Sequence, residues 1–228
     1  MILLIAAALA SAAPAHACPE LITPEALICR AIQAQAEGND EAAAQSFEEA
    51  ANASPDGDPG KARLYAAAGN MWLSASQPGK AALDLDKALT LPGLEAEQHG
   101  EALLDRARAA EAQNDLKTAR AKVTEAAASI SEDPFLWYFS AALAVRENDA
   151  ATAQSAINRA LSMAPIDASI LFEAGHVAHF TGDDVGARYY WQRALERDPH
   201  GPIGKAAREA LNLLPAPLTV KTEPAPPK

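Results

Sequence analysis

Aromatic side chains are scarce in this chain. Phe, Trp and Tyr together make up 5%, within a 49% apolar fraction to which alanine contributes heavily. A core with so few rings has to be built from small side chains in close contact. Ala has the highest helix propensity and a low β propensity, so this composition favours close-packed helices over a sheet. Basic residues are in deficit too: 19 Lys and Arg stand against 30 Asp and Glu, for a net charge of −11. Binding nucleic acid through its phosphates needs a basic footprint, which is missing here. An acidic surface instead keeps a protein soluble and slightly favours basic partners. Two cysteines are too few for a Cys-rich zinc site. There is no G-x-x-x-x-G-K-[ST], no G-x-G-x-x-G after a strand, no H-E-x-x-H and no G-x-S-x-G. The many carboxylates read as solvated helix faces. The chain is therefore read as non-catalytic, without a cofactor.

One apolar run stands out, Ile2 to Ala13, inside a seventeen-residue stretch with no Asp, Glu, Lys or Arg. It is too short to span a bilayer comfortably. Ala15-His16-Ala17 fits the small-x-small pattern before a cleavage site, so residues 1–17 are expected to be a secretory signal peptide. The basic residue that usually precedes such a run is absent, and an apolar first helix of the fold is the alternative. Export would place the mature chain in a periplasmic or secreted setting, with no transmembrane segment. An oxidising compartment permits a disulfide between Cys18 and Cys29, eleven residues apart with Pro19 and Pro24 between them. The competing use of Cys18 is a lipid anchor, for which Ala15 and His16 depart from the usual aliphatic and small residues. Residues 18–23 form a short mature segment.

From there the chain repeats. Ala43, Ala81, Ala119, Ala153 and Ala187 are separated by 38, 38, 34 and 34 residues. Ala31, Gly69, Ala107, Ala141 and Gly175 keep the same gaps, as do Ala50, Ala88, Ala126, Ala160 and Ala194. Three small-residue ladders in step over five units define a repeat array, in which each unit touches only its neighbours. Each unit reads as a helix, a short turn such as Gly38-Asn39, Asn114-Asp115, Asn148-Asp149 or Gly182-Asp183, and a second helix ended by a loop. Thr23-Pro24 opens the first helix, the hydroxyl capping it and Pro at its first position. Short connections make the paired helices antiparallel. Small residues belong where the helices cross, and the larger Trp, Tyr, Phe, Leu and Ile fill the space between units. The two gaps of 38 place four extra residues in the loops between the early units.

The pattern Trp137–Ala141–Ala144–Ala153–Ile157–Ala160–Pro165, and then Leu171–Gly175–Ala178–Ala187–Trp191–Ala194–Pro199, resembles the tetratricopeptide repeat. The third unit departs from it, with Ser131 where the terminal Pro would fall. The resemblance implies an all-α right-handed superhelical solenoid of about five helix pairs over residues 24–214. Its last element is a capping helix, Ile203 to Leu214, with an apolar stripe and no partner after it. Residues 215–228 carry five prolines in fourteen residues and are expected to be a disordered or polyproline tail.

The resemblance also implies that the first helix of each unit lines a concave groove that binds peptides. Carried over by phase, the groove receives Arg63, Ala66, Asn70 and Leu73, then Glu101, Leu104, Arg108 and Glu111. Next come Phe135, Tyr138, Ala142 and Val145 with Arg146 at the edge, and last Ser169, Phe172, His176 and His179. Arg63, Arg108 and Arg146 would meet acceptors or carboxylates, while Phe135, Tyr138 and Phe172 would supply apolar contact. The alternative is that Tyr138 and Phe172 pack between helices. The Lys–Asn carboxylate clamp of chaperone-binding members is incomplete: Asn70 fits, but Ala66 stands where Lys is expected. The function implied is a scaffold or adaptor of the bacterial cell envelope, binding a peptide or protein segment. A second reading uses His176 and His179, three apart on one helix face, to hold a metal or small molecule.

Overall fold

The computed structural model describes residues 18–215. The expected signal peptide over 1–17 lies outside the described residues, as does all of the expected tail beyond Pro215. Among the described residues there are eleven helices and no strand. They are α1 (Pro24–Ala36), α2 (Asp40–Ala53), α3 (Gly60–Ser74), α4 (Pro78–Thr90), α5 (Ala96–Ala112), α6 (Leu116–Ala126), α7 (Pro134–Arg146), α8 (Ala150–Met163), α9 (Ala168–Phe180), α10 (Asp184–Arg197) and α11 (Pro202–Leu213). None is long and apolar enough to cross a membrane. Each helix packs on the next one in the chain, and first helices of adjacent units also meet, as α3 with α5 and α7 with α9.

One device makes every helix pair. Gly38, Ser76, Asn114, Asn148 and Gly182 all have a positive φ, between 57° and 82°. Each is followed by the cap of the next helix, whose amide bonds back over the end of the preceding one: Asn39 to Ala34, Gln77 to Trp72, Asp115 to Ala110, Asp149 to Ala144 and Asp183 to Ala178, all at 2.8–2.9 Å. This is the Schellman closure, which needs one left-handed residue and turns the chain sharply back. Asn39, Asp115, Asp149 and Asp183 then accept a backbone N–H of the new helix through their side chains, which relieves one orphan donor each.

The ladders are the crossing points. Every alanine of the three ladders is fully buried, and Gly69 and Gly175 are buried with them. Larger side chains fill the gaps around them, among them Trp72, Leu85, Leu103, Leu136, Leu143, Ile157, Ile170 and Leu171, each below 2% exposure. The core is thus a row of connected clusters running along the solenoid. At the far end α11 packs on α10 and α9.

The four extra residues of the early units are not simply loop. α7 and α9 begin seven residues before Ala141 and Gly175, whereas α5 begins eleven before Ala107 and α3 nine before Gly69. The insertion is therefore wholly helical in α5 and half helical in α3. Glu95 and Gln98 form a capping box that fixes the earlier start of α5. The two longer connections also lean on each other: a side chain on Gly93 (φ +118°) would strike the Pro59 carbonyl at 2.2 Å. At the other end, a disulfide joins Cys18 to Cys29, with Cα atoms 5.7 Å apart, and so ties the mature N-terminus to α1. The Arg30 guanidinium reinforces it by donating to the carbonyls of Pro19 at 2.6 Å and Leu21 at 3.0 Å.

Candidate functional site

The first helices carry two hollows on one face. The first, of about 320 Å³, lies where α1, α3 and α5 meet and is lined by Arg63, Ala66, Asn70 and Glu101 among the phase-derived residues. Gln35, Phe47, Leu94, Gln98 and Asp105 also line it, none of which follows from the groove phase. Leu94 and Gln98 are there because of the insertion: the longer α5 and its lead-in wall the hollow on one side. The second hollow, of about 460 Å³, sits between α7 and α9 and is lined by Ala142, Val145, Arg146, Glu173, His176, His179 and Phe180.

The three arginines do meet acceptors, but within the chain itself. Arg63 Nη1 donates to the Gly93 carbonyl at 3.4 Å. Arg108 Nη1 donates to Asp105 Oδ1 at 2.8 Å, and Asn70 Nδ2 donates to the other oxygen of the same carboxylate, also at 2.8 Å. Arg146 reaches back to the carboxylate of Glu111, and to Asn114 Oδ1 at 2.9 Å. Arg108 and Arg146 are therefore paired with carboxylates of the chain itself, whereas Arg63 meets a backbone carbonyl.

The aromatic end is arranged in contacting pairs. Phe135 is 48% exposed and meets Tyr138 edge-on at 6.3 Å. Phe172 lies tilted against His176 with centroids 4.4 Å apart, and His176 meets Trp191 edge-on at 5.6 Å. Burial, and next the negative charge of Glu173, push the Tyr138 phenol above its ordinary value. At the other end, burial and then the charges of Glu97, Asp105 and Asp133 raise the Glu101 carboxyl. The two histidines do not converge: His176 Nδ1 faces Glu173 at 3.5 Å, whereas His179 Nδ1 bonds Asp184 at 2.8 Å. Among the described residues no three His, Cys, Asp or Glu side chains gather as a metal site, so the metal reading of His176 and His179 lacks its third ligand.

No protein-family model matches the chain, and no curated protein matches it. Solved structures do. It is similar to PilW, a widely conserved type IV pilus biogenesis factor, at 19% identity and a TM-score of 0.68, covering 81% of this chain and 82% of that one. A tetratricopeptide repeat protein from Parabacteroides merdae aligns at 14% identity and a TM-score of 0.65, over 82% of this chain and 70% of that one. YrrB, a TPR protein with an unusual peptide-binding site, aligns at 18% identity and a TM-score of 0.57, over 81% and 91%. The chain has the tetratricopeptide-repeat fold.

In this tetratricopeptide array the first hollow is lined from the first three units and the second from the fourth and fifth, mostly by first helices. Asp105 and Glu173 are the functional candidates the groove phase missed. They share a register position, two residues before the small-residue marker of their units, Ala107 and Gly175. A carboxylate recurring at that place was the available signal. Its significance depends on what the preceding unit offers it.

Proposed function

We propose that this protein is a non-catalytic scaffold of the cell envelope whose first-helix face binds an extended polypeptide segment. The observation that carries the reading is that face itself: two open hollows, of about 320 and 460 Å³, lined in part by side chains that the repeat phase aims there, Arg63, Asn70, Ala142, Arg146 and His176 among them. The mixture of small, aromatic and internally paired charged residues suits a peptide, with rings as anchors and polar groups for register. The neighbour YrrB is a TPR protein with a peptide-binding site, which agrees in kind. Export rests on the pattern of residues 1–17 and on the Cys18–Cys29 bond, which an oxidising compartment sustains.

A photoreactive residue placed at Ala66 or Ala142 on the face, and at the exposed Thr124 of α6 as control, tests the reading in intact cells. Discrete protein adducts are expected from the two face positions and not from Thr124. Adducts from all three alike, or from Thr124 alone, would remove the groove assignment. N-terminal sequencing of the protein from an envelope fraction is expected to begin at Cys18; recovery in the cytosol with Met1 intact would remove the export assignment.

A further inference from the structure

Glu173 projects from α9 and is only 8% exposed. Among the described residues no hydrogen bond reaches its carboxylate, which faces His176 Nδ1 at 3.5 Å. No side-chain nitrogen or oxygen sealed from solvent lacks a partner in the described residues, so the unbonded oxygens of Glu173 open outward, into the hollow they line. A carboxylate so largely withdrawn from water is stabilised by donors, and no hydrogen bond within the described residues supplies one.

The repeat supplies an internal comparison. Asp105 occupies the same register position two units earlier, and it is satisfied: Asn70 of the preceding unit donates to one oxygen and Arg108 of its own unit to the other. The register equivalents around Glu173 are Ala142 for Asn70 and His176 for Arg108. Ala142 has no side-chain donor, and His176, tilted against Phe172 and edge-on to Trp191, keeps its Nδ1 3.5 Å from Glu173 Oε2 with no hydrogen bond formed. Both carboxylates border a hollow, but Asn70 donates to Asp105 at the first, whereas Ala142 leaves Glu173 without that donor at the second, of about 460 Å³. The other charged groups lining that hollow are engaged, Arg146 by Glu111 and His179 by Asp184. Its remaining walls are Val145 and Phe180.

We infer that the hollow between α7 and α9 receives a basic side chain, Arg or Lys, of a bound polypeptide segment, which donates to Glu173 in the place that Asn70 takes at Asp105. The assignment rests on the groove reading above and names the chemistry of its ligand. The apolar walls take the stem of such a side chain, and the carboxylate takes its charged head. A net charge of −11 attracts a basic segment to this surface.

The test uses the amidated, N-acetylated pentapeptide Ala-Leu-Arg-Leu-Ala, its citrulline and Glu analogues, and N-acetylarginine amide, read by amide chemical shifts in the mature protein. The Arg peptide is expected to shift α7 and α9 amides and to bind more tightly than N-acetylarginine amide, while the citrulline and Glu peptides bind weakly. Glu173→Gln should weaken the Arg peptide about tenfold or more, the scale of a lost charge-assisted hydrogen bond. Ala142→Asn, which restores the internal donor, should weaken it similarly without lowering the melting temperature. Equal binding of the Arg and citrulline peptides, no loss in Glu173→Gln, tighter binding of the Glu peptide, or a peptide no better than N-acetylarginine amide would each overturn the inference. Photo-adducts at Ala66 and Ala142 in any of those cases leave the groove reading standing; their absence removes both.

Discussion

Trp191 occupies the space that a side chain on Gly175 would need. A Cβ placed there would lie 2.2 Å from Trp191 Nε1, which itself donates to the Phe172 carbonyl at 3.0 Å. The glycine lets α9 and α10 close until the indole reaches backbone on the opposite helix. Gly175→Ala is expected to destabilise the protein by about 2 kcal/mol or more through overpacking. Gly79→Ala, in the first turn of α4, adds a methyl group that would meet nothing within 4 Å. That substitution should instead stabilise by about 0.5 kcal/mol. Urea unfolding of the two variants reads both signs.

Trp72 and Asp84 pair in a similar way between α3 and α4, Trp72 Nε1 donating to Asp84 Oδ2 at 3.1 Å. Asp84 is 2% exposed, and Lys87 Nζ donates to its other oxygen at 2.8 Å. Asp84→Ala strips the acceptor from a buried indole N–H and from the ammonium, and should cost about 2–3 kcal/mol in chemical denaturation. Asp84→Asn keeps an acceptor for the indole and should cost less.

The Cys18–Cys29 bond closes a short loop at the start of the array. The chain-entropy gain for a loop of that size is about 2–3 kcal/mol. Replacing both cysteines by serine should lower the stability of the α1–α2 unit by about that amount, read as faster amide exchange in α1 with α9 and α10 unchanged. Uniform loss of protection along the solenoid would contradict this local role.

The caps of α6 and α8 give the stability an acid limb. Bonds from Thr118 hold the Asp115 carboxyl below its ordinary value of 3.8, and bonds from Thr152 do the same for Asp149. A depressed folded value means stability present above the unfolded value and lost as pH falls through the folded one. The stability of the native protein should therefore decline below about pH 4 as these caps protonate. The Asp115→Asn, Asp149→Asn double variant keeps an acceptor that does not titrate, and its melting temperature should fall less steeply over that range.

Much of the fold was legible because small residues at fixed intervals report a geometric requirement. Ala43, Ala81, Ala119, Ala153 and Ala187 are small for one shared reason, the close crossing of two helices, and so they keep phase. The turns were legible likewise, since Gly38, Asn114, Asn148 and Gly182 tolerate the left-handed backbone that the Schellman closure needs; Ser76 adopts it without advertising it. The four-residue insertions were visible but misplaced. An extra turn of α5 and a longer loop have the same count, and only the Glu95–Gln98 capping box separates them.

The candidate site was legible by address and not by state. Sequence alone determined the repeat and singled out Arg63, Asn70, Ala142, Arg146 and His176, which line the hollows, because periodicity depends only on the spacing along one chain; it missed Asp105 and Glu173. Tertiary structure alone decided that Arg108 and Arg146 are already paired, and that Asp105 is satisfied while Glu173 is not. The difference between the two carboxylates turns on whether the preceding unit offers Asn70 or Ala142 across the helix boundary. A carboxylate's chemistry is set by the donors within about 3 Å of it, and in a repeat array some of those donors, as Asn70 at Asp105, come from a neighbouring unit roughly one period away in the chain.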